Sequence, residues 1–359
     1  MSASPAVNIL VQSLILGTDD KGRTVSLPVK PTEKLAIIGL SGSGKSYAAG
    51  VMVEQWLKAG VPVAVIDIVG IWAGLRSGAD GGAEGGLPIP VYGGMLGDAE
   101  VPSAIAAAQS FSLKSQSAVF DLSELRMEDI QLWVAEFAEE LMAPGCSPVK
   151  PCRVVLEEAP ALAPQSGSLS KHQRRCKAAL AHFTRVGRNR GYGIDLISQR
   201  AQSISKDLLT QCSSLLLLRL SASLDRKTIT EWVASNSAEI DTKKVLAYLA
   251  EAENGEGMLW APTWLKDRPR DQRYLKVKVG KRTTFHIGPE EKPTELLSIT
   301  MPDMGVAIAG DGLEAIGKII TFLIKAALVL AGIWLAWKIL SVVAAVVGLA
   351  LLLWIVFGK

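Results

Sequence analysis

Between residues 35 and 220, short apolar runs recur without the alternation of apolar and polar residues that a half-exposed strand shows. Stretches with a helical pattern separate these runs. Runs of this kind predict strands that are buried on both faces. Buried strands joined by helices predict a mostly parallel sheet covered by helices, which is an α/β fold. The predicted strands are Leu35–Ile38, Pro62–Ile68, Ser117–Leu122, Cys152–Leu156, Ile194–Ser198 and Ser214–Leu220, and the predicted helices include Tyr47–Leu57 and Met127–Met142.

The pattern changes on either side of this region and between its strands. From Val7 to Val29, apolar and polar residues alternate around the turn-rich stretch Gly17–Gly22, which predicts a β-hairpin that caps the strand Leu35–Ile38. Stretches rich in Gly, Pro, Asp or Ser predict loops at Gly74–Gly94, Met142–Pro151 and Pro164–Ser170. The predicted organisation is therefore a hairpin (1–30), a main α/β domain (31–287), a linker (288–315) and a hydrophobic segment (316–357).

The hydrophobic segment is almost wholly apolar and is interrupted only by Lys318, Lys325 and Lys338. Its last part, Ile339–Phe357, carries no charge and as a helix is roughly 28 Å long, close to the hydrocarbon thickness of a bilayer. We therefore expect one membrane span at 339–357. A buried C-terminal core helix is the alternative interpretation.

The run before that span, Ile319–Trp337, contains Lys325 and is followed by no turn residues that could form a tight hairpin. A single span also keeps all three lysines on the side of the main domain, as the positive-inside rule favours. We therefore expect a membrane protein whose main domain lies on the cytoplasmic side, with Trp334 and Trp337 near the headgroups.

Composition and charge restrict the function only weakly. The chain has 359 residues, enough for one large α/β core, and its net charge of +3 neither favours nor excludes nucleic acid as a partner. The four cysteines, at positions 146, 152, 176 and 212, and the three histidines have no spacing suited to zinc. We therefore expect reduced thiols and no Cys/His metal site.

The strongest local motif is Gly-Leu-Ser-Gly-Ser-Gly-Lys-Ser at Gly39–Ser46, which fits the phosphate-binding P-loop between a predicted strand and a predicted helix. In this context the backbone N–H groups and the helix N-terminus face bound phosphates. Lys45 is expected to reach the β- and γ-phosphates and Ser46 a magnesium ion. The predicted nucleotide-binding residues are Gly39, Ser41, Gly42, Ser43, Gly44, Lys45, Ser46 and Tyr47.

Polar side chains follow two other predicted strands. Glu157 and Glu158 come directly after Cys152–Leu156, and Gln199 follows Ile194–Ser198. We predict that Glu157 holds magnesium, that Glu158 orients and deprotonates the attacking water, and that Gln199 senses the γ-phosphate. A solvated pair of surface acids and an ordinary exposed glutamine are the alternatives.

Basic residues cluster before the strand that ends at Ser198. Arg188 and Arg190 lie between Gly187 and Gly191, and either could complete the site of a neighbouring subunit as an arginine finger. A plain basic surface patch is equally compatible with the pattern. Arg219 is a weaker candidate, and the basic cluster at Lys171–Lys177 fits either a nucleic-acid contact or a solvated helix face.

The order of these motifs resembles the HerA/FtsK ATPases. The resemblance spans roughly Leu10–Trp232 and rests on the P-loop, Val65–Gly70, Leu156–Ala159, Gly187–Arg200 and the Leu-Leu-Arg-Leu stretch that ends at Leu220. It implies a RecA-like core in a homo-oligomeric ring, usually a hexamer, that hydrolyses ATP to move DNA. It also implies phosphate and metal contacts at Lys45 and Ser46, metal and water positions at Glu157 and Glu158, a sensor at Gln199, and a trans-acting arginine at Arg188 or Arg190.

The chain departs from this pattern at three points. Glu157 stands where the family more often has Asp, and Pro160 stands where the HerA branch often has His. The hydrophobic C-terminal segment resembles instead the layout of filamentous-phage assembly ATPases of the Zot type. We therefore predict a membrane-tethered, ring-forming ATPase that uses ATP and Mg²⁺ to translocate or package DNA. The alternatives are a membrane assembly or secretion ATPase acting on protein, and a nucleotide-binding scaffold without turnover.

Overall fold

The computed structural model describes residues 12–220, 227–231, 241–266, 274–288, 290–302, 304 and 347–348. The chain divides into two compact units, Met1–Ala307 and Ile308–Lys359. Nearly all described residues belong to the first unit.

The described part of this unit is built on one eleven-stranded sheet, ordered β2-β1-β11-β10-β9-β3-β8-β7-β4-β6-β5. Its parallel part runs from β9 to β5, whereas β10, β11, β1 and β2 are antiparallel additions on the β9 side. The strands are β1 (Gln12–Thr18), β2 (Thr24–Val29), β3 (Lys34–Ile38), β4 (Val63–Asp67), β5 (Val91–Gly93), β6 (Ala118–Asp121), β7 (Cys152–Leu156), β8 (Tyr192–Ser198), β9 (Ser214–Leu218), β10 (Glu256–Trp260) and β11 (Tyr274–Val279).

Helices cover both faces of this sheet. Helix α1 packs on one face, and α2, α3, α5 and α7 pack on the other. The described helices are α1 (Lys45–Lys58), α2 (Ala104–Leu113), α3 (Met127–Leu141), α4 (Ala159–Leu162), α5 (Lys171–Val186), α6 (Lys206–Leu209) and α7 (Thr242–Glu251), with 3₁₀ turns at Ala73–Arg76, Gly187–Arg190 and Ala201–Ser203. The predicted α/β fold with a mostly parallel sheet is confirmed.

The P-loop strand β3 illustrates why the apolar runs lack alternation. Leu35 and Ile37 pack into the core on the α1 side, while Ala36 and Ile38 pack into the core on the opposite side. Both faces of the strand are therefore buried, so both must be apolar. Parallel pairing of β3 with β8, and of β7 with β8 and β4, brings the carboxyl ends of these four strands to one edge of the sheet.

The predicted hairpin is present as the antiparallel pair β1 and β2, but it does not pair with β3. Strand β1 pairs instead with β11, so two late strands lie between the hairpin and the end of the parallel part. The prediction that 74–94 is all loop was wrong at both ends. Ala73–Arg76 is a 3₁₀ turn and Val91–Gly93 is an edge strand paired with β6.

The described part of the segment predicted as a linker belongs to the first unit and contacts its earlier residues. Arg76 donates to the backbone oxygen of Leu297 at 2.8 Å, and the backbone N–H of Thr294 donates to the oxygen of Gly81 at 2.9 Å. The hydrophobic segment 316–357, by contrast, lies outside the described residues except for 347–348. Among the residues that the structure describes, no helix is both long and apolar enough to cross a bilayer.

Candidate nucleotide-binding site

The P-loop joins the carboxyl end of β3 to the first turn of α1. Gly42 and Gly44 have positive φ angles of 73° and 95°, a conformation that glycine adopts without the steric cost of a side chain. The backbone N–H of Leu40 donates to the oxygen of Arg219 at 2.9 Å, and that of Gly255 donates to the oxygen of Ser43 at 3.0 Å. The loop is thus fixed from neighbouring strands, and the first N–H groups of α1 have no partner within the helix, as an anion site requires.

Lys45, the first residue of α1, is largely buried at this edge of the sheet. Its Nζ donates to the backbone oxygen of Leu40 at 3.0 Å. Burial lowers the pKa of Lys45, while the nearby carboxylates of Glu158 and Glu157 oppose that shift. The ammonium group is therefore held where it can contact phosphate oxygens next to the loop.

Glu157 lies directly after β7, and both of its carboxylate oxygens accept hydrogen bonds. Ser46 Oγ donates to Oε1 at 3.0 Å, and the indole Nε1 of Trp72 donates to Oε2 at 2.9 Å. Burial raises the pKa of Glu157 to about 7, and the neighbouring Asp67 and Glu158 act in the same direction. A buried carboxylate paired with a hydroxyl is well suited to a hard divalent cation, which would favour its charged form.

Trp72 is aimed at Glu157 by a tight turn after β4. The carboxylate of Asp67, the last residue of that strand, accepts the backbone N–H groups of Val69, Gly70, Ile71 and Trp72 at 2.8 to 2.9 Å. Burial raises the pKa of Asp67 to about 6, helped by Asp121, while these N–H groups oppose the shift. Asp67 therefore acts as the anchor of this loop.

Glu158 follows Glu157 in the left-handed backbone region, with φ 49° and ψ 50°, at the start of α4. Non-glycine residues pay a conformational cost there, which folds tolerate mainly at functional sites. The side chain of Gln199, beyond the end of β8, hydrogen-bonds the Glu158 carboxylate. Burial raises the pKa of Glu158 against the effects of Lys45 and Gln199, so this carboxylate is a stronger proton acceptor than an exposed one.

These side chains line one cavity of about 570 Å³. Of the predicted site residues, the structure brings together Ser41, Gly42, Gly44, Lys45, Ser46, Tyr47, Glu157, Glu158 and Gln199 around it. Gly39 and Ser43 belong to the same loop but are not among the residues that line the cavity. They pack against each other, since a Cβ on Gly39 would lie 2.5 Å from Ser43 Oγ.

The two predicted finger arginines lie at the opposite edge of the sheet, in the 3₁₀ turn before β8. Arg190 donates to the backbone oxygen of Ala143 at 3.0 Å, and Arg188 is half exposed, 3.9 Å from a carboxylate oxygen of Glu33. Neither lines the cavity of its own chain. Their assignment to a neighbouring subunit's site stays a prediction. In the basic cluster 171–177, Arg175 pairs with Glu139 of α3 at 2.6 Å.

Sequence reasoning missed two groups of cavity residues. One is the loop after β4, Val69–Ile71, which is held by Asp67 and Trp72. The sequence feature that could have indicated this loop is an acidic residue at a strand end followed by Gly70. The other is His286–Gly288, which follows β11 and has no local motif. Its contacts to α1 exist only in the folded chain.

A P-loop between a buried strand and a helix, faced by two carboxylates and a glutamine from adjacent strand ends, defines a P-loop nucleotide-binding domain. Residues 15–139 match the model of the DUF87 family, described as the central domain of the helicase HerA. The predicted resemblance to HerA/FtsK-type P-loop ATPases is thereby confirmed.

A probable helicase of Methanocaldococcus jannaschii, MJ1565, is 33% identical over 113 residues, which are 32% of this chain and 20% of that protein. The chain thus matches only about a fifth of the length of this curated relative.

Solved structures are more distant. VirB4 of Thermoanaerobacter pseudethanolicus is 13% identical with a TM-score of 0.48, covering 75% of this chain and 96% of that one. The genome packaging NTPase B204 from Sulfolobus turreted icosahedral virus 2 is 12% identical with a TM-score of 0.42, covering 65% and 94%. A likeness of this degree carries no conclusion about function.

Proposed function

We propose that this chain binds ATP with Mg²⁺ and hydrolyses the γ-phosphate. The observation that carries the proposal is the convergence of Lys45, Ser46, Glu157, Glu158 and Gln199 on one cavity at the carboxyl edge of the sheet. These groups come from α1, the end of β7 and the end of β8, so their meeting reflects the fold and not one local motif.

Each group suits one part of a phosphoryl transfer to water. Lys45 and the N–H groups of the P-loop bind the phosphates and stabilise the charge that builds up on them. Glu158, with its raised pKa and its hydrogen bond from Gln199, orients the attacking water and accepts its proton. Gln199, which lines the same cavity beside Glu158, would sense the γ-phosphate.

The donor set around Ser46 fits magnesium. The hydroxyl of Ser46 and the carboxylate of Glu157 are 3.0 Å apart, and both are hard oxygen ligands of the kind that this ion prefers. When bound, the ion would neutralise charge on the β- and γ-phosphates. Trp72 keeps Glu157 in the orientation that this role needs.

We propose further that hydrolysis drives DNA translocation or packaging by a membrane-tethered ring, of which a hexamer is the expected form. The match of residues 15–139 to the central domain of a helicase supports DNA as the substrate. The position of Arg188 and Arg190, away from the cavity of their own chain, suits residues that act on a neighbour. The uncharged run 339–357 supports the membrane tether, with the ATPase domain on the cytoplasmic side.

The test is the ATPase rate of the purified full-length chain with and without duplex DNA. We expect measurable hydrolysis that rises when DNA is added. The variant Lys45→Ala is the control and should show no hydrolysis in either condition. An unchanged rate with DNA would remove the translocase part of the proposal and leave the ATPase part standing, whereas hydrolysis surviving in Lys45→Ala would remove both.

A second candidate is a membrane-associated assembly or secretion ATPase that acts on protein. The observation in its favour is again the uncharged run 339–357, which matches the layout of Zot-type phage assembly ATPases. This candidate predicts an ATPase rate that DNA does not change and that depends on reconstitution into a bilayer.

A further inference from the structure

The cavity is larger than the phosphates of a nucleotide require. Its volume of about 570 Å³ lies within the range of sites that enclose a whole small-molecule ligand. One group of lining residues is here called the phosphate wall and consists of Lys45, Ser46, Glu157, Glu158 and Gln199. Its members interact with one another and are the groups that would bind the triphosphate and its metal ion. The other lining residues are therefore available to the nucleoside of a bound nucleotide.

Those residues differ in chemistry from the phosphate wall. Tyr47 follows Ser46 on α1, and its ring meets that of His286 edge to face, with the centroids 5.6 Å apart. Ile287, which is 8% exposed, continues the same surface. Tyr47, His286 and Ile287, here called the nucleoside wall, offer aromatic and apolar area with few charges, which suits a base and not a phosphate.

The imidazole of His286 has a defined hydrogen-bonding state. Its Nδ1 lies 3.2 Å from Nη1 of Arg282, and a guanidinium can only donate, so Nδ1 accepts. The proton of the neutral ring is then on Nε2, which becomes a donor of fixed direction. Burial, together with the charge of Arg282, lowers the pKa of His286 to about 4, in agreement with a neutral ring at neutral pH.

The segment that carries His286 is attached to α1 by a buried ion pair. The carboxylate of Glu54 accepts from Arg282 Nε at 3.4 Å and from the backbone N–H groups of Thr283 and Thr284 at 2.9 Å each. The backbone N–H of Arg282 also donates to the hydroxyl of Tyr47 at 2.9 Å. Gly50 allows this close approach, because a Cβ there would lie 2.5 Å from the guanidinium carbon of Arg282.

The same segment is fixed on its other side. The backbone N–H of Phe285 donates to the oxygen of Ser77 at 2.9 Å, and Thr284 forms an antiparallel bridge with Gly78. The segment 282–287 is therefore held between helix α1 and the residues after the 3₁₀ turn Ala73–Arg76. These contacts within the protein fix the nucleoside wall, and this lowers the entropy cost of binding.

We infer that the nucleoside wall is the subsite for the base and ribose of the nucleotide, with Tyr47 and Ile287 packing on the base and His286 Nε2–H donating a hydrogen bond to the nucleoside. This inference rests on the proposed function, since it assumes that the triphosphate occupies the phosphate wall. It assigns a binding role to His286 and Ile287, which lie far beyond the P-loop in the sequence.

The test compares a ligand that has a nucleoside with one that lacks it. Binding of the non-hydrolysable analogue AMPPNP and of inorganic tripolyphosphate, each with Mg²⁺, is measured by calorimetry on the full-length chain. The variants are His286→Leu and Tyr47→Leu, with His182→Leu, at an exposed site on α5, as the matched control. We expect each nucleoside-wall variant to weaken AMPPNP about tenfold, the effect of losing one ring contact or hydrogen bond, and to leave tripolyphosphate unchanged.

The outcomes separate this inference from the proposed function. Unchanged AMPPNP affinity in both variants would overturn the subsite, and so would an equal loss for AMPPNP and tripolyphosphate, because the wall would then not act on the nucleoside. If the wild-type chain bound neither ligand, the proposed function itself would fail and the inference with it. Full AMPPNP affinity in His182→Leu is expected in every case in which the subsite exists.

Discussion

The two walls of the nucleotide cavity are assembled from the chain in different ways. In the phosphate wall, each side chain either follows the end of a strand or lies in the first turn of α1. The parallel sheet therefore places all of them at one edge. In the nucleoside wall, Tyr47 is joined to a segment 235 residues further along the chain, through the bond from Arg282. Chemistry in the first wall depends on strand order, whereas binding in the second depends on long-range contacts that include one buried ion pair.

This difference predicts that catalysis and affinity can be lost separately. The phosphate wall should control the rate of hydrolysis, because its groups contact the reacting atoms. The nucleoside wall should control affinity and the stability of the late segment, because it touches parts of the ligand that do not react.

The largest effect is expected for Glu158→Gln. Removing a general base typically costs 10²- to 10⁴-fold, so we expect kcat to fall about a thousandfold while the affinity for AMPPNP stays within about twofold of wild type. Steady-state ATPase assays and calorimetry measure the two quantities. Glu136→Gln, at a partly exposed position on α3, is the control. Turnover that survives in Glu158→Gln would assign the water-activating role elsewhere.

The next prediction concerns the ion pair under the nucleoside wall. Arg282→Met leaves the carboxylate of Glu54 buried without its charge partner, and breaking such a pair costs about 3 kcal/mol of unfolding free energy. We also expect weaker AMPPNP binding, because the Arg282 guanidinium then no longer orients His286 through Nδ1, although backbone N–H groups of the segment still contact Glu54 and Tyr47. Chemical denaturation and calorimetry on the same preparation measure both effects.

Arg153→Met is the matched control for that variant. Arg153 forms an equally buried pair with Asp195 between β7 and β8 and also donates to the backbone oxygen of Pro31 at 2.8 Å. We expect a similar loss of stability, but unchanged AMPPNP affinity under conditions in which the protein stays folded. Equal affinity loss in both variants would mean that stability alone governs binding, and the contrast between the walls would disappear.

The same contrast explains how much the sequence could predict. The strands β3, β4, β6, β7, β8 and β9 follow from their apolar runs, and the phosphate wall follows because Glu157, Glu158 and Gln199 each stand beside such a run. The place of the β1–β2 hairpin could not be predicted, because its neighbour β11 is set by long-range pairing. His286 was missed for the same reason: its partner Tyr47 is close only in the folded chain.

A smaller effect is expected for Trp72→Phe, behind the phosphate wall. The change removes the indole N–H that holds Glu157 Oε2, and losing such an outer hydrogen bond typically weakens metal binding 10- to 100-fold. We expect the Mg²⁺ concentration for half-maximal ATPase activity to rise about tenfold. Trp133→Phe removes a comparable indole bond, to the oxygen of Pro102, away from the cavity and should leave the Mg²⁺ dependence unchanged. Equal shifts in both variants would contradict a role for Trp72 at Glu157.

The smallest effect is a pH dependence that belongs to the nucleoside wall. The pKa of His286 is lowered to about 4 in the folded chain, so between pH 6.5 and 4 the unfolded chain binds a proton at this residue and the folded chain does not. The contribution of His286 to the free energy of unfolding is therefore lost as the pH falls through that window. Between pH 7 and 5.5 the wild type should lose about 1 kcal/mol more than His286→Leu, as measured by chemical denaturation. Parallel losses in the two proteins would show that the ring takes up a proton in the folded state over the same pH range, which Nδ1 can do only by losing the hydrogen bond that it accepts from Arg282.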